Sequence, residues 1–261
     1  ELAKLADLVP AEGAEISVRF KLPVEGAAYD FGAKFGAVPD QAAALLAEVA
    51  RLGFVPSLTF HPGTQCTDPT AWEAYIRTAA DICRMAGVRA RRLNVGGGYP
   101  SHRLGEVSPA LEPNFAVIDR VATEAFGHDR PALICEPGRA MVAEAFTLAA
   151  RVKSIRDDEH VFLNDGVYGG LAELPLIGNI DRIEVVSPEG QARTAARRSR
   201  VVFGPTCDSV DRLPGEIALP GDMAEDDYVL VHGMGAYSTV TNTRFNGFGE
   251  MTLATAIALR T

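Results

Sequence analysis

The sequence predicts an α/β unit over residues 1–145 followed by an all-β unit over residues 146–261. Before the change, strand-length apolar runs alternate with stretches of helical period. After it, short apolar runs divided by turn residues take over. The composition, 47% hydrophobic and 23% charged over 261 residues, is that of a packed globular chain. No Ser/Gly-rich linker or internal repeat divides the two parts, so they are expected to pack tightly.

The elements follow in order. Residues 2–8 resemble the middle of a helix and 16–20 a short strand. Residues 40–52 form a helix closed by Gly53, and 54–60 are apolar and strand-like. Asp68-Pro69 offers an N-cap and a first-turn proline. Trp72, Tyr75, Ile76, Ala79, Ile82, Cys83 and Ala86 then recur at helical spacing until Gly87. A strand at 93–95, a helix at 115–126 and a strand at 132–135 complete the first part. The second part carries strands at 147–152, 161–163, 182–186, 201–203 and 228–231.

Strand–helix alternation implies a parallel sheet or a barrel, and a closed barrel of this type needs eight strands. About four are present before residue 145. Either the sheet is small and open or the chain is the latter portion of a longer protein; the abrupt start favours the second.

Several function classes are disfavoured at once. A net charge of −9 repels nucleic acid and anionic membranes, and no apolar run is long enough to span a bilayer. Glu1-Leu2-Ala3-Lys4 does not read as a secretory signal. The four cysteines, Cys66, Cys83, Cys135 and Cys207, form no Cys-x-x-Cys pair, so neither a zinc ribbon nor a disulfide scaffold is expected. His61 and Cys66 lack a third ligand at metal-binding spacing, and a reducing cytoplasm is the expected compartment.

The chemistry-bearing residues fall just after strands, where β/α folds place their sites. Gly96, Gly97 and Gly98 let backbone N–H groups approach an anion such as a phosphate. Glu136-Pro137-Gly138-Arg139 joins a carboxylate, suited to a cationic ring nitrogen, to an arginine suited to a phosphate. His61, in His61-Pro62-Gly63-Thr64-Gln65-Cys66, can stack on a planar group or move a proton. Gly204-Pro205-Thr206-Cys207-Asp208 sets a thiol beside a carboxylate, and Met234-Gly235-Ala236-Tyr237 offers a phenol. Taken singly, each also fits an ordinary turn or a packed side chain.

In order and together, with Asn164-Asp165-Gly166-Val167-Tyr168-Gly169 and Arg244-Phe245-Asn246-Gly247-Phe248, these motifs closely resemble the fold-type III pyridoxal-phosphate-dependent decarboxylases. That family acts on ornithine, lysine, arginine or diaminopimelate, and the likeness runs from about Leu2 to Gly249, closest to the ornithine/lysine branch. The resemblance implies the latter half of an alanine-racemase-like β/α (TIM) barrel followed by a β-sandwich-like C-terminal domain, working as a homodimer with the active site at its interface.

It also implies roles. His61 stacks on the pyridine ring; Thr64, Gly96, Gly97, Gly98, Gly138 and Arg139 surround the phosphate, and Tyr237 reaches it. Glu136 pairs with the protonated ring nitrogen, so the ring can accept the electrons left by CO2. Arg19 buttresses Glu136. Cys207, from the second subunit, helps protonate the α-carbon, and Asp208 contacts the distal amine.

Two departures from the pattern matter. The family's Schiff-base lysine lies on the first barrel strand, and none of Lys4, Lys21, Lys34 and Lys153 sits in a matching context. Ornithine decarboxylases usually carry a Tyr-Asp pair soon after Gly-Val-Tyr-Gly; here Glu173 could substitute for that aspartate. The Cys207-Asp208 form favours a basic substrate, whereas diaminopimelate enzymes usually have Cys-Glu. The leading expectation is a cytoplasmic decarboxylase making a diamine for polyamine biosynthesis. The alternatives are a non-catalytic homologue or inactive fragment acting through partner binding, and a racemase, which the Cys207-Asp208 element disfavours.

Overall fold

A computed structural model describes residues 1–23, 32 and 34–255. The chain divides into two compact units, Glu1–Ser101 with Pro109–Met141, and His102–Ser108 with Val142–Thr261.

The first unit runs α1 (Leu2–Leu8), β1 (Glu15–Arg19), α2 (Pro39–Arg51), β2 (Val55–Thr59), α3 (Thr70–Ala86), β3 (Arg92–Asn94), α4 (Glu112–Phe126) and β4 (Ala132–Ile134), and α5 (Gly138–Val142) begins in it. Among the described residues, its four strands form a parallel sheet in the order β1-β2-β3-β4. Pro39 and Pro113 open α2 and α4 where a missing N–H costs no hydrogen bond. That proline lets α4 start at Glu112, earlier than the spacing of its apolar residues alone suggests. Pro69 is the cap of α3, and the Asp68 side chain accepts the Thr70 N–H at 2.9 Å. Gly87 ends α3 at φ 64°, in the left-handed region.

The apolar stripes of these helices build one core. Ala42, Leu46 and Val49 of α2, Trp72, Ile76 and Ile82 of α3, and Ile118 and Val121 of α4 are all buried in it. The core also fixes the loops that follow the strands. Phe60, immediately before His61, stacks on Tyr75 of α3 with centroids 4.6 Å apart. The Trp72 indole donates to the Val95 carbonyl at 3.2 Å. It also stacks on Tyr99, which stacks in turn on Phe115. The glycine cluster at 96–98 is therefore held by buried residues on both sides.

In the second unit lie β5 (Leu148–Arg156), β6 (His160–Leu163), α6 (Leu174–Ile177), β7 (Ile183–Val186), β8 (Arg197–Phe203), β9 (Ile217–Pro220) and β10 (Tyr228–Val231). They form a six-stranded sheet in the order β7-β10-β5-β6-β8-β9, and β7 and β9 at its two ends approach each other. Every pairing is antiparallel except β6–β8. Alternate residues, among them Val152, Val161, Leu163, Val202, Val229 and Val231, face a second core. Strand β9 was not anticipated, because its four residues end in Pro220, which reads as a breaker. It is an edge strand, where proline is tolerated. Among the described residues, no helix is long and apolar enough to cross a membrane.

Trp72→Ala removes the largest fully buried side chain and its hydrogen bond to Val95. It should cost about 3–5 kcal/mol, read as a lower urea midpoint for unfolding of the first unit.

Candidate active site

The parallel register sets the geometry of the first unit. Thr59 aligns with Asn94, and Asn94 with Ile134. His61, Gly96 and Glu136, each two residues further along, therefore emerge at one level at the carboxyl ends of three adjacent strands. Backbone hydrogen bonds continue the ladder past the strands: Phe60 N–H to the Asn94 carbonyl, Val95 N–H to that of Ile134, and Glu136 N–H to that of Gly96 at 2.9 Å.

The glycines are required by close approach. A Cβ on Gly97 would stand 2.6 Å from the Glu136 carbonyl and 3.2 Å from His61 Nε2, and one on Gly98 would stand 3.3 Å from His61 Cε1. The imidazole thus lies against the glycine backbone. Gly96 and Gly98 also have positive φ, 71° and 85°. The Gly63 N–H donates to His61 Nδ1 at 3.0 Å, which leaves the proton of the neutral ring on Nε2. Burial holds the imidazole below its ordinary pKa range; the Arg19 charge adds to this and Glu136 opposes it.

Thr64 lies between this histidine and a clip that sequence reasoning missed. Gln65, at φ 52°, donates through Nε2 to Ser101 Oγ at 2.8 Å and accepts the Ser101 N–H at 2.9 Å. Cys66 N–H meets the Gly98 carbonyl at 2.8 Å. The loops after β2 and β3 are thereby joined.

Glu136 is exposed, and its Oε1 accepts a hydrogen bond from Asn94 Nδ2 at 2.7 Å. Asn94 Oδ1 in turn accepts the Gly96 N–H at 2.9 Å. The expected Arg19 buttress differs: among the described residues Arg19 makes no ion pair with Glu136, and its guanidinium lies 5.3 Å from the Phe35 ring centroid. Arg19 ends β1, at the opposite edge of the sheet from β4, whereas Asn94 ends the neighbouring strand. Gly138 and Arg139 open α5, with the Gly138 N–H bonded to the Glu136 carbonyl. Of the lysines, Lys4 pairs with Glu1, Lys21 reaches the Gly32 carbonyl, Lys34 lies over Phe35 and Lys153 lines a cleft of the second unit.

That cleft, of about 600 Å³, is lined by Asn164, Phe203, Cys207, Asp208, Asp211 and Phe248 among others. Cys207 is exposed, and its Sγ lies 3.3 Å from Asn246 Oδ1. The Tyr168 hydroxyl donates to Asp208 Oδ2 at 2.5 Å. That bond, followed by the Val210 N–H, holds the Asp208 carboxyl below its usual range and raises the phenol. Buried Asp211 organises the turn: Oδ2 accepts the Thr206 N–H and hydroxyl, Oδ1 accepts the Val167 N–H, and its carbonyl accepts the Gly204 N–H. A Cβ on Gly166 or Gly204 would collide with the Asp211 carboxylate, so the glycines of both motifs serve this buried acid. Burial pushes the nearby Asp165 carboxyl up. Glu173 heads α6 and is not among the residues lining the cleft. Tyr237 is half-exposed and held at φ 68°, with its carbonyl accepting the Val240 and Thr241 N–H groups.

Sequence reasoning passed over Asn94, Gln65, Tyr168, Asp211 and Asn246. Asn94 carried a signal, since an Asn two residues before a glycine is the spacing of an Asx turn. The roles of Tyr168 and Asp211 depend on contacts 40 and 44 residues apart in the chain.

A β/α sheet whose strand ends gather a histidine, a glycine cradle and a carboxylate is the architecture of a protein that binds a phosphorylated ring cofactor. The family described as pyridoxal-dependent decarboxylase, pyridoxal binding domain, matches residues 1–143, and the chain belongs to that family. It is 30% identical over 293 residues to ornithine decarboxylase of Neurospora crassa, covering 96% of this chain and 58% of that protein. The crystal structure of the Paramecium bursaria Chlorella virus arginine decarboxylase superposes with a TM-score of 0.79 at 27% identity, over 95% of this chain and 67% of the other. The lysine/ornithine decarboxylase of Vibrio vulnificus, solved with cadaverine, superposes with a TM-score of 0.75 at 28% identity, over 95% and 65%. The chain spans about three fifths of the length of the curated relatives it matches.

The residues present fit the family's cofactor, pyridoxal phosphate. The neutral imidazole presents a flat partner for a ring. Among the described residues, the Gly97 and Gly98 N–H groups meet no protein acceptor, and the second oxygen of Glu136 meets no protein donor. These are the donors a phosphate needs and the acceptor a pyridinium N–H needs.

Two outcomes follow. Gly97→Ala should displace the His61 ring and weaken pyridoxal phosphate binding at least about tenfold, read by equilibrium titration with the circular dichroism unchanged. The depressed His61 pKa means that the unfolded chain takes up this proton first. The associated stability is complete above the ordinary value of 6.5 and falls as the pH drops below it. His61→Phe should therefore flatten the loss of urea midpoint between about pH 7 and 5.

Proposed function

We propose that the protein carrying this chain decarboxylates a basic L-amino acid of the ornithine or lysine type to its diamine, in polyamine biosynthesis, with pyridoxal phosphate. The observation that carries the substrate class is the Tyr168–Asp208 pair beside Cys207. A carboxylate held by a phenol, in a cleft that also carries the apolar walls of Phe162, Leu163, Phe203 and Phe248, is an acceptor for a cationic side-chain terminus. Relatives named as ornithine and lysine/ornithine decarboxylases support the same class.

In this reading the cofactor, when bound, supplies the electron sink for the pair left by departing CO2. His61 holds one face of its ring. The Gly97 and Gly98 N–H groups, with Thr64, Gly138, Arg139 and Tyr237, bind the phosphate. Glu136 holds the proton at the ring nitrogen. Cys207 delivers a proton to the substrate α-carbon, and Asp208 binds the distal ammonium. Domain 1–145 acts as the latter part of the cofactor-binding barrel and 146–261 as the C-terminal domain. The working unit is a cytoplasmic homodimer in which Cys207 and Asp208 serve the partner's cofactor.

The test is CO2 release from L-ornithine and L-lysine by the full-length protein supplied with pyridoxal phosphate. Release is expected from at least one of them. Asp208→Ala should raise KM for the diamino acid by about 10- to 100-fold, the loss of a charged hydrogen bond. Cys207→Ala should lower the rate or divert the product while leaving the cofactor bound. No release from either amino acid, or an unchanged KM in Asp208→Ala, overturns the reading.

A further inference from the structure

The carboxylate at residue 136 is exposed and lies two residues beyond β4, the edge strand of its sheet. A flexible carboxylate loses side-chain entropy when it must meet a ring nitrogen in one geometry. The structure supplies a restraint from the next strand. Asn94 is the last residue of β3, and its amide is used at both ends: Nδ2 donates to Glu136 Oε1 at 2.7 Å, and Oδ1 accepts the Gly96 N–H at 2.9 Å. The Glu136 N–H donates to the Gly96 carbonyl at 2.9 Å, so Asn94, Gly96 and Glu136 form one closed set of contacts. Of the two Glu136 oxygens, the Asn94 bond fixes one and leaves the other open.

We propose that Asn94 is a positioning residue that aims the Glu136 carboxylate at the cofactor ring nitrogen and couples this aim to the backbone of the phosphate-binding glycine cluster. The proposal rests on the reading of Glu136 given above. It assigns to an uncharged amide the buttressing that the family resemblance implies for Arg19. An amide suits the task because it offers a donor to the carboxylate and an acceptor to the backbone in one rigid group.

Two substitutions separate the two ends of the amide. Asn94→Ala removes both bonds. Asn94→Ser retains an acceptor for the N–H two residues on, as Ser and Asn both close such turns, but it is too short to reach Glu136. The probe is pyridoxine 5′-phosphate labelled with 15N in the ring, the alcohol form of the cofactor, which makes no covalent link to the protein. Its ring nitrogen resonance in the complex reports the ring proton, and titration reports affinity. In the unsubstituted protein the resonance should lie at the protonated position, and Glu136→Gln should move it toward the unprotonated one. Asn94→Ser should move it in the same direction while affinity falls no more than about fivefold, the worth of one hydrogen bond. In the Glu136→Gln background Asn94→Ser should produce no further movement, as expected of a residue acting through Glu136. Asn94→Ala should show the same resonance change with a larger loss of affinity; should it fail to fold, Asn94→Ser alone decides. A resonance moved by Glu136→Gln but unmoved by Asn94→Ser overturns the role of Asn94 alone. A resonance unmoved by Glu136→Gln, or no binding to the unsubstituted protein, overturns the reading of Glu136 and this proposal with it.

Discussion

The first unit depends on one constraint, the parallel register of β2, β3 and β4. Because Thr59, Asn94 and Ile134 stand in line, the residues two positions on leave the sheet at one level. A slip of one residue in any of these pairings would turn each side chain to the other face and dismantle the cluster. The register is held by apolar burial below, where Leu58 and Leu93 are fully buried, and by hydrogen bonds that continue beyond the last strand residue. The loop residues are then pinned by α3, whose Trp72 reaches Val95 and Tyr99 on either side of the glycines and whose Tyr75 stacks on Phe60 just before the histidine. The cluster is fixed because its loops are short and the residues that flank them, Phe60, Val95 and Tyr99, are buried.

The second unit solves a different problem. It carries a thiol, Cys207, and a carboxylate, Asp208, side by side on one turn. A buried acid holds that turn. Asp211 accepts three hydrogen bonds at its carboxylate from two loops far apart in sequence, and those loops carry Tyr168 on one side and Cys207 with Asp208 on the other. A buried carboxylate is costly unless satisfied by donors, and here backbone N–H groups and the Thr206 hydroxyl satisfy it. The glycines at 166 and 204 are the steric condition for its fit. Tyr237 and Asn246 adopt left-handed backbone conformations in nearby motifs, one that asparagine tolerates and that costs a tyrosine more.

Much of this was legible in the sequence, for identifiable reasons. The helices α2, α3 and α4 announce themselves through apolar spacing, prolines and Gly87, and their stripes are the stripes that are buried. His61, the glycine cluster and Glu136 could be placed at strand ends because each follows a short apolar run. What could not be read was contact. Nothing in composition or period shows that Asn94 rather than Arg19 meets Glu136, since the choice depends on which strand lies next to β4. The Gln65–Ser101 clip and the Asp211 hub likewise join residues that no local pattern links. Strand β9 was hidden by its proline, whose tolerance at a sheet edge depends on the sheet order.

Strand-end register brings together the His61 ring, the Gly97 and Gly98 amides and the Glu136 carboxylate, the groups proposed above to hold pyridoxal phosphate. Amide and side-chain resonances followed during titration with pyridoxine 5′-phosphate test this most directly. The Gly97 and Gly98 amides and the His61 ring protons should shift first and farthest, and pyridoxine without its phosphate should leave the two glycine amides nearly unmoved. Shifts that spare these residues, or glycine shifts that do not require the phosphate, would contradict it.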